Sequence, residues 1–347
     1  MFTPTRPYIF HIELTDTCNA GCPMCARTQA LNFCKEDPAV VRGAELTLAD
    51  FQTHFTDDLC ARTSQVVLSG NYGDPLAARD ALAICDHLTA RGVRVAISTN
   101  ASLRTPKWWT KLGAAMKRTG SRVEFHIDGL ADTNALYRVN TSFDKIMENA
   151  AAYIATGATA EWHFILFRHN EHQVEEARAL SKAMGFAQFI LIDTIRFAEG
   201  GFPFQMPDGT RFTLEASTKS GADFSDLAAS APRNEQDAAR RETLGAHAAL
   251  SGGSGIRCKS AADNRPYISA TGQVSACCWV VDSPEEAGLY TDNGLDPDRN
   301  NIRNRPLEEI LGDEPFAGLY AQGWNADTLA ICRRKCGEMK RNVRSFL

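Results

Sequence analysis

From Tyr8 to about residue 195 the chain alternates short, β-rich apolar runs with stretches of helical periodicity, and this rhythm limits its fold more than any other feature. The runs are Tyr8 to Leu14, Gln65 to Ser69, Val93 to Ser98, Arg122 to Ile127, Glu161 to Phe167 and Phe189 to Thr194. Strand and helix in strict turn make βα units, which bury a parallel sheet beneath a layer of helices. Phe143, Ile146, Met147, Ala150, Tyr153 and Ile154 recur three and four apart, as one buried helix face requires. Thr47, with Asp50 three residues on, marks another helix start. Six units are too few to close an eight-stranded barrel. The expected fold is therefore α/β, an open, partial (β/α)6 TIM-like barrel whose side gap is covered by a smaller α+β subdomain. A chain of 347 residues, 44% of them hydrophobic, can bury both cores.

The first run leads directly into a loop carrying Cys18, Cys22 and Cys25, at the strand end where barrel enzymes keep their chemistry. Spacings of three and two residues let three thiolates wrap one compact centre, and no fourth ligand lies nearby. Iron-sulfur clusters take thiolate ligands, whereas a structural zinc normally fills all four positions from paired knuckles. The spacing favours a cluster with one open metal corner.

In this loop the chain resembles the radical S-adenosylmethionine (radical SAM) enzymes, whose signature is three cysteines so spaced after the first barrel strand. Met24 stands where that family often has an aromatic residue. The resemblance implies a 4Fe-4S cluster on Cys18, Cys22 and Cys25 whose open iron chelates S-adenosylmethionine. It also implies reductive cleavage to a 5′-deoxyadenosyl radical that takes a hydrogen atom from the substrate. A reducing partner such as flavodoxin or ferredoxin belongs to the same implication.

Ser69 to Pro75 resembles that family's glycine-rich loop, with Gly70, Tyr72 and Gly73 allowing close backbone approach and Asp74 placed to accept from the cofactor's ammonium group. By the same resemblance the later strand ends contact the ribose and carboxylate: Asp128 first, then Asn100, with His126 on the same face as Asp128. Helix capping is the rival use of Asn100 and Asp128. Arg27 either pairs with the cofactor carboxylate or starts a helix, and His11 and His163 are expected to be hydrogen-bonded core histidines.

A second cysteine set gathers late. Cys258 precedes a strand, a turn centred on Gly272 and a second strand ending at Cys277, and Cys332 and Cys336 form a closing pair. This pattern resembles the Twitch subdomain, the shortened form of the SPASM domain. By that resemblance Cys258, Cys277, Cys332 and Cys336 hold one auxiliary 4Fe-4S cluster, and a four-thiolate zinc is the alternative. Cys278, left over, is a candidate hydrogen-atom donor or a small buried hydrophobe, with Cys34, Cys60 and Cys85 weaker candidates for the same role. The expected domains are 1–200 (barrel), 201–256 (insert) and 257–347 (auxiliary cluster). Gly200, Gly201, Pro203 and Pro207 break the strand pattern, so the insert is read as a connector in preference to a lid.

The eleven cysteines, with no signal peptide and no apolar run long enough to cross a bilayer, suit metal chemistry in a cytoplasmic protein. A net charge of −5 argues against general nucleic-acid binding, although the tail from Arg333 to Arg344 is locally basic. The expected function is an oxidoreductase that dehydrogenates a small-molecule or nucleotide-like substrate, because no peptide-recognition segment precedes the first strand. Epimerisation or bond formation on a peptide or nucleic acid is the alternative, and a non-enzymatic zinc or iron-sulfur scaffold is the rival from another class.

Overall fold

The computed structural model describes residues 7–33, 43–194, 197, 201–206, 208–224, 260, 263–279 and 298–313. The expected runs all become strands: β1 (Tyr8–Ile12), β2 (Thr63–Leu68), β3 (Arg94–Thr99), β4 (Arg122–His126), β5 (Thr159–Leu166) and β6 (Gln188–Asp193). They lie side by side in chain order, and every neighbouring pair is parallel. Between them run α1 (Ala26–Phe33), α2 (Leu48–His54), α3 (Asp57–Ala61), α4 (Ala81–Ala90), α5 (Pro106–Lys117), α6 (Asn134–Tyr137), α7 (Phe143–Ile154) and, before β6, α8 (Val174–Met184). The Thr47 and Asp50 signal is a true capping box at the start of α2, each side chain accepting from the other's backbone N–H.

Alternation decides what each strand buries. In β4, Val123 and Phe125 are fully buried against the helix layer, where Phe125 stacks on Trp109 at 5.2 Å and meets Tyr153 of α7. Glu124 and His126, one position along, turn to the opposite face. Trp162 and Phe164 of β5 repeat the apolar half of this pattern, and Glu161 and His163 the polar half.

Downstream lie β7 (Phe202–Gln205), β8 (Arg211–Leu214), β9 (Tyr267–Ile268), β10 (Val274–Ser275) and α9 (Leu307–Gly312). The hairpin expected around Gly272 is β9 and β10, and Gly272 adopts φ +88 in its turn. It does not stand apart from the barrel. β9 pairs in parallel with β1, His11 opposite Tyr267, so the sheet becomes eight-stranded in the order β10-β9-β1-β2-β3-β4-β5-β6. The pairing covers the edge that β1 would otherwise leave open. α9 buries Leu307 and Ile310 in the same core.

Within the insert, residues 202–214 form an antiparallel hairpin, with Pro203 in register opposite Thr213. Proline is tolerated there because the ribbon has only two strands and Pro203 faces solvent. Phe202, Phe212 and Leu214 turn the other way and pack on a satellite core of Ala20, Cys22, Met24, Tyr137 and Phe167. This part of the insert therefore seals the flank of the three-cysteine loop.

Cys34, Cys258, Cys332, Cys336 and the basic tail lie outside the described residues. No helix among the described residues is long and apolar enough to cross a membrane.

Candidate active site

The cysteine loop leaves β1 at the C-terminal end of the sheet and is fastened from several strand ends. Asp74 N donates to Thr17 O at 2.9 Å, and Gly21 N to Val139 O at 2.9 Å. Cys22 is buried, while Cys18 and Cys25 are half-buried; all described cysteines are free thiols. Ala20 N donates to Cys18 Sγ at 3.3 Å, Asn100 Nδ2 lies 3.7 Å from the same sulfur, and Arg138 Nη1 lies 3.7 Å from Cys22 Sγ. Met24, at the position of the expected aromatic residue, is buried in the satellite core.

Burial pushes the Cys18 thiol up to about 12, with the Asp74 carboxylate adding to the effect, and burial also raises Cys22. Occupation by a metal centre therefore displaces protons from the loop. The three sulfurs are not all within 4.8 Å of one another; among the described residues only Glu124, His126 and His163 form such a trio. Ligands on one tetrahedral zinc, with Zn–S near 2.3 Å, stand about 3.8 Å apart. Thiols not all within that spacing, with the Cys18 and Cys22 sulfurs turned by their own neighbours, fit a cluster-sized ligand.

The glycine-rich loop after β2 is held by Glu13, which lies two residues beyond His11 on the same strand face and is buried. Glu13 Oε1 accepts from Tyr72 N at 2.7 Å and Gly73 N at 3.1 Å, and Oε2 accepts from Tyr267 Oη at 2.9 Å. A Cβ on Gly70 would lie 2.6 Å from Glu13 Oε1, and one on Gly73 would overlap the Thr15 carbonyl. Glycine is required at both places by this close approach. Asn71 Nδ2 donates to Cys278 O at 2.7 Å, which brings buried Cys278 beside the same loop.

Asp74 is buried, and its carboxylate accepts from Leu76 N, Thr99 Oγ1 and Asn100 N, all at 2.8 to 2.9 Å. Burial raises its pKa, opposed by these bonds. Asn100 spends its amide oxygen on Ser102 and its nitrogen on Asn19 Oδ1 and the Cys18 sulfur. Asp128 is fully buried; Oδ1 accepts from Ile165 N at 2.6 Å and Oδ2 from Arg138 Nε at 2.6 Å. Burial raises the Asp128 pKa, against the attraction of Arg138. His126 is half-buried on the inner face, and Arg27 is the second residue of α1, its Nε 3.3 Å from Asp16 O.

The structure thus brings Cys18, Cys22, Cys25, Gly70, Tyr72, Gly73, Asp74, Asn100 and Asp128 to one end of the sheet, joined by hydrogen bonds. Cys277 is half-buried at the end of β10, next to Cys278. His11 and His163 are hydrogen-bonded core residues, to Ser69 O at 2.8 Å and Glu161 Oε2 at 3.1 Å, as expected. Sequence reading missed Glu13 and Arg138. The alternation of His11 and Glu13 could have revealed the first, whereas Arg138 follows a short helix and carries no local signal.

Comparison with known proteins agrees with this geometry. The family model of the radical SAM superfamily matches residues 12–181. The AdoMet-dependent heme synthase of Methanosarcina barkeri is 27% identical over 196 residues, 55% of this chain and 52% of that protein, so the match spans about half of the relative's length. SuiB of Streptococcus suis, solved with S-adenosylmethionine, superposes with a TM-score of 0.58 at 12% identity, over 91% of this chain and 68% of SuiB. Native anSMEcpe with bound AdoMet and Kp18Cys peptide gives 0.55 at 13% identity, over 97% and 92%. At such identities the two structures speak for the fold. The three-cysteine loop and the strand-end network that holds it lie within residues 12–181, which the radical SAM superfamily model matches as a domain, and that match implies a 4Fe-4S cluster and S-adenosylmethionine.

Proposed function

We propose that the chain is a radical SAM oxidoreductase that dehydrogenates a compact, polar small-molecule or nucleotide-like substrate. The observation that carries the reading is the loop of Cys18, Cys22 and Cys25, with Asn100 and Arg138 each touching one of its sulfurs. When bound, the cluster and S-adenosylmethionine supply one-electron cleavage of the sulfonium and a 5′-deoxyadenosyl radical. Cys18, Cys22 and Cys25 would hold the cluster. The backbone of residues 69–73 would receive the cofactor's amino group, and Asp74 fixes that backbone through its internal bonds. Arg138, neutralised by Asp128, sets the local charge at Cys22. The hairpin of β7 and β8 covers the flank of the loop and keeps water from it.

The polar inner face supports a small polar substrate: Glu124, Glu161, His126, His163 and Arg122 form a tight set of charges and hydrogen-bonding groups there. Cys258, Cys277, Cys332 and Cys336 are proposed to hold the auxiliary cluster that accepts the second electron. Cys278, beside the glycine-rich loop, is proposed as a hydrogen donor if the outcome is epimerisation.

Anaerobic reconstitution tests the reading. The expected result is about eight irons per chain, the sum of two four-iron clusters, and 5′-deoxyadenosine after chemical reduction. Cys22→Ala should retain about four irons and form none of that product. Intact S-adenosylmethionine in the reduced wild type removes the enzyme reading, and about four irons in the wild type removes the auxiliary cluster.

A further inference from the structure

The inner face of β4 and β5 carries a second set of ligand-type side chains, away from the cysteine loop. Glu124, His126 and His163 each place a carboxylate oxygen or ring nitrogen within 4.8 Å of the other two. The strands pair in register, His126 opposite His163 and Glu124 opposite Glu161. Alternation turns all of these side chains away from the apolar helix layer. The two imidazoles stand 5.0 Å apart with their planes at 65°. Two imidazole nitrogens and one carboxylate oxygen converging on one small space are a donor set that divalent first-row metals take from proteins.

The surroundings orient two of the three ligands. Arg122 donates to Glu124 Oε1 from Nε at 3.1 Å and Nη2 at 2.9 Å, and Ser98 Oγ donates to Oε2 at 2.6 Å. Glu161 Oε2 lies 3.1 Å from His163 Nε2, the carboxylate-histidine contact that fixes ligating imidazoles in metal proteins. His126 spends its ring, among the described residues, on the edge contact with His163. A cavity of about 210 Å³ at the opposite end of the sheet is lined by Gln65, Arg94, Arg122, Glu161 and Gln188. It reaches Arg122 and Glu161, which hold Glu124 and His163 in place.

We infer that Glu124, His126 and His163 bind one divalent transition-metal ion of the zinc or ferrous class, separate from any cluster. Three protein ligands leave coordination positions open, the pattern of an ion that holds water or a substrate oxygen and not of a closed structural site. Of the trio, His126 lies two residues, about 7 Å, before Asp128, whose partner Arg138 touches Cys22. A substrate oxygen on the ion would therefore sit next to the space served by the cysteine loop. The inference stands on the trio's own geometry and does not depend on the reaction proposed above.

The test uses the full-length, anaerobically reconstituted holoenzyme, stripped of loose metal on a chelating resin and titrated with Zn²⁺. Retained zinc and iron are counted together by plasma mass spectrometry. The wild type should hold one zinc per chain in addition to its iron. His126→Gln and His163→Gln should weaken zinc binding by at least about 100-fold, and Ser98→Ala, outside the ligand set, by about 10- to 100-fold. Cys22→Ser should keep the zinc. X-ray absorption at the zinc edge of the wild type provides a readout that requires no variant to fold: nitrogen and oxygen neighbours are expected. A sulfur shell near 2.3 Å, no zinc retained by the wild type at micromolar free metal, or zinc retained by both histidine variants as tightly as by the wild type would each overturn the site.

Discussion

The two faces of β4 and β5 put the same backbone to opposite uses. On the helix side Val123, Phe125, Trp162 and Phe164 are fully buried, the three aromatics against other rings. On the inner side Glu124, His126, Glu161 and His163 form a polar cluster whose carboxylates are answered by Arg122, Ser98 and His163. One step along the strand separates the two roles, so a one-residue slip in register would exchange them completely. Apolar packing is concentrated on one face and ionisable side chains on the other, and substitutions can separate the two.

The largest effect is expected on the helix side. Trp162→Ala should cost about 3 to 5 kcal/mol, the lost transfer energy plus the cavity it leaves, read as a shift in the urea midpoint of the cluster-free protein. A cost below about 1 kcal/mol would break the comparison, because the apolar face would then not be the main source of stability. At the upper rim, Arg138→Met leaves Asp128 buried without its counter-ion and should cost about 3 kcal/mol in the same assay. The pair of substitutions Arg138→Met and Asp128→Asn should cost less than Arg138→Met alone. Equal losses would mean that the guanidinium contributes through packing and not through charge.

His126→Gln on the inner face should change stability by less than about 1 kcal/mol while substrate-dependent formation of 5′-deoxyadenosine falls. A large stability loss there would show the inner face to be structural as well. The smallest effect concerns Glu171, which anchors the segment after β8. Burial opposes its charge, but hydrogen bonds from Ser217 and Thr218 hold its pKa at about 2, below the ordinary 4.5. A depressed carboxylate stabilises fully above its unfolded value and loses that contribution as pH falls through the folded one. Hydrogen exchange of residues 202–218 in the cluster-free protein should therefore rise as pH drops from about 4.5 towards 2, after correction for the intrinsic rate. Glu171→Gln should remove that pH dependence.

The parallel sheet was legible because each strand is a β-rich apolar run set off by turns, and the three cysteines because their spacing is contiguous. The hairpin at 202–214 was not, since Pro203 reads as a strand breaker until its solvent-facing side in a two-stranded ribbon is seen. The family resemblance points Asp74 and Asp128 towards a cofactor. Their visible bonds run to Leu76, Thr99 and Asn100, and to Ile165 and Arg138, partners that only the folded sheet brings near. Glu13 and Arg138 escaped notice for the same reason: their work is done across gaps of 59 and 116 residues. The pairing of β9 with β1 is similarly invisible, because two short strands carry too little pattern to announce which edge they will join.

That pairing sets a schedule for biosynthesis. Glu13 and the thiol-bearing loop after it leave the ribosome well before Tyr267, which steadies Glu13 beneath the glycine turn and follows it by 254 residues. At about 5 to 20 residues per second, the nascent first strand waits many seconds with one margin bare. Cofactor loading is thus best timed after translation has passed β9, when the cradle first acquires its final wall.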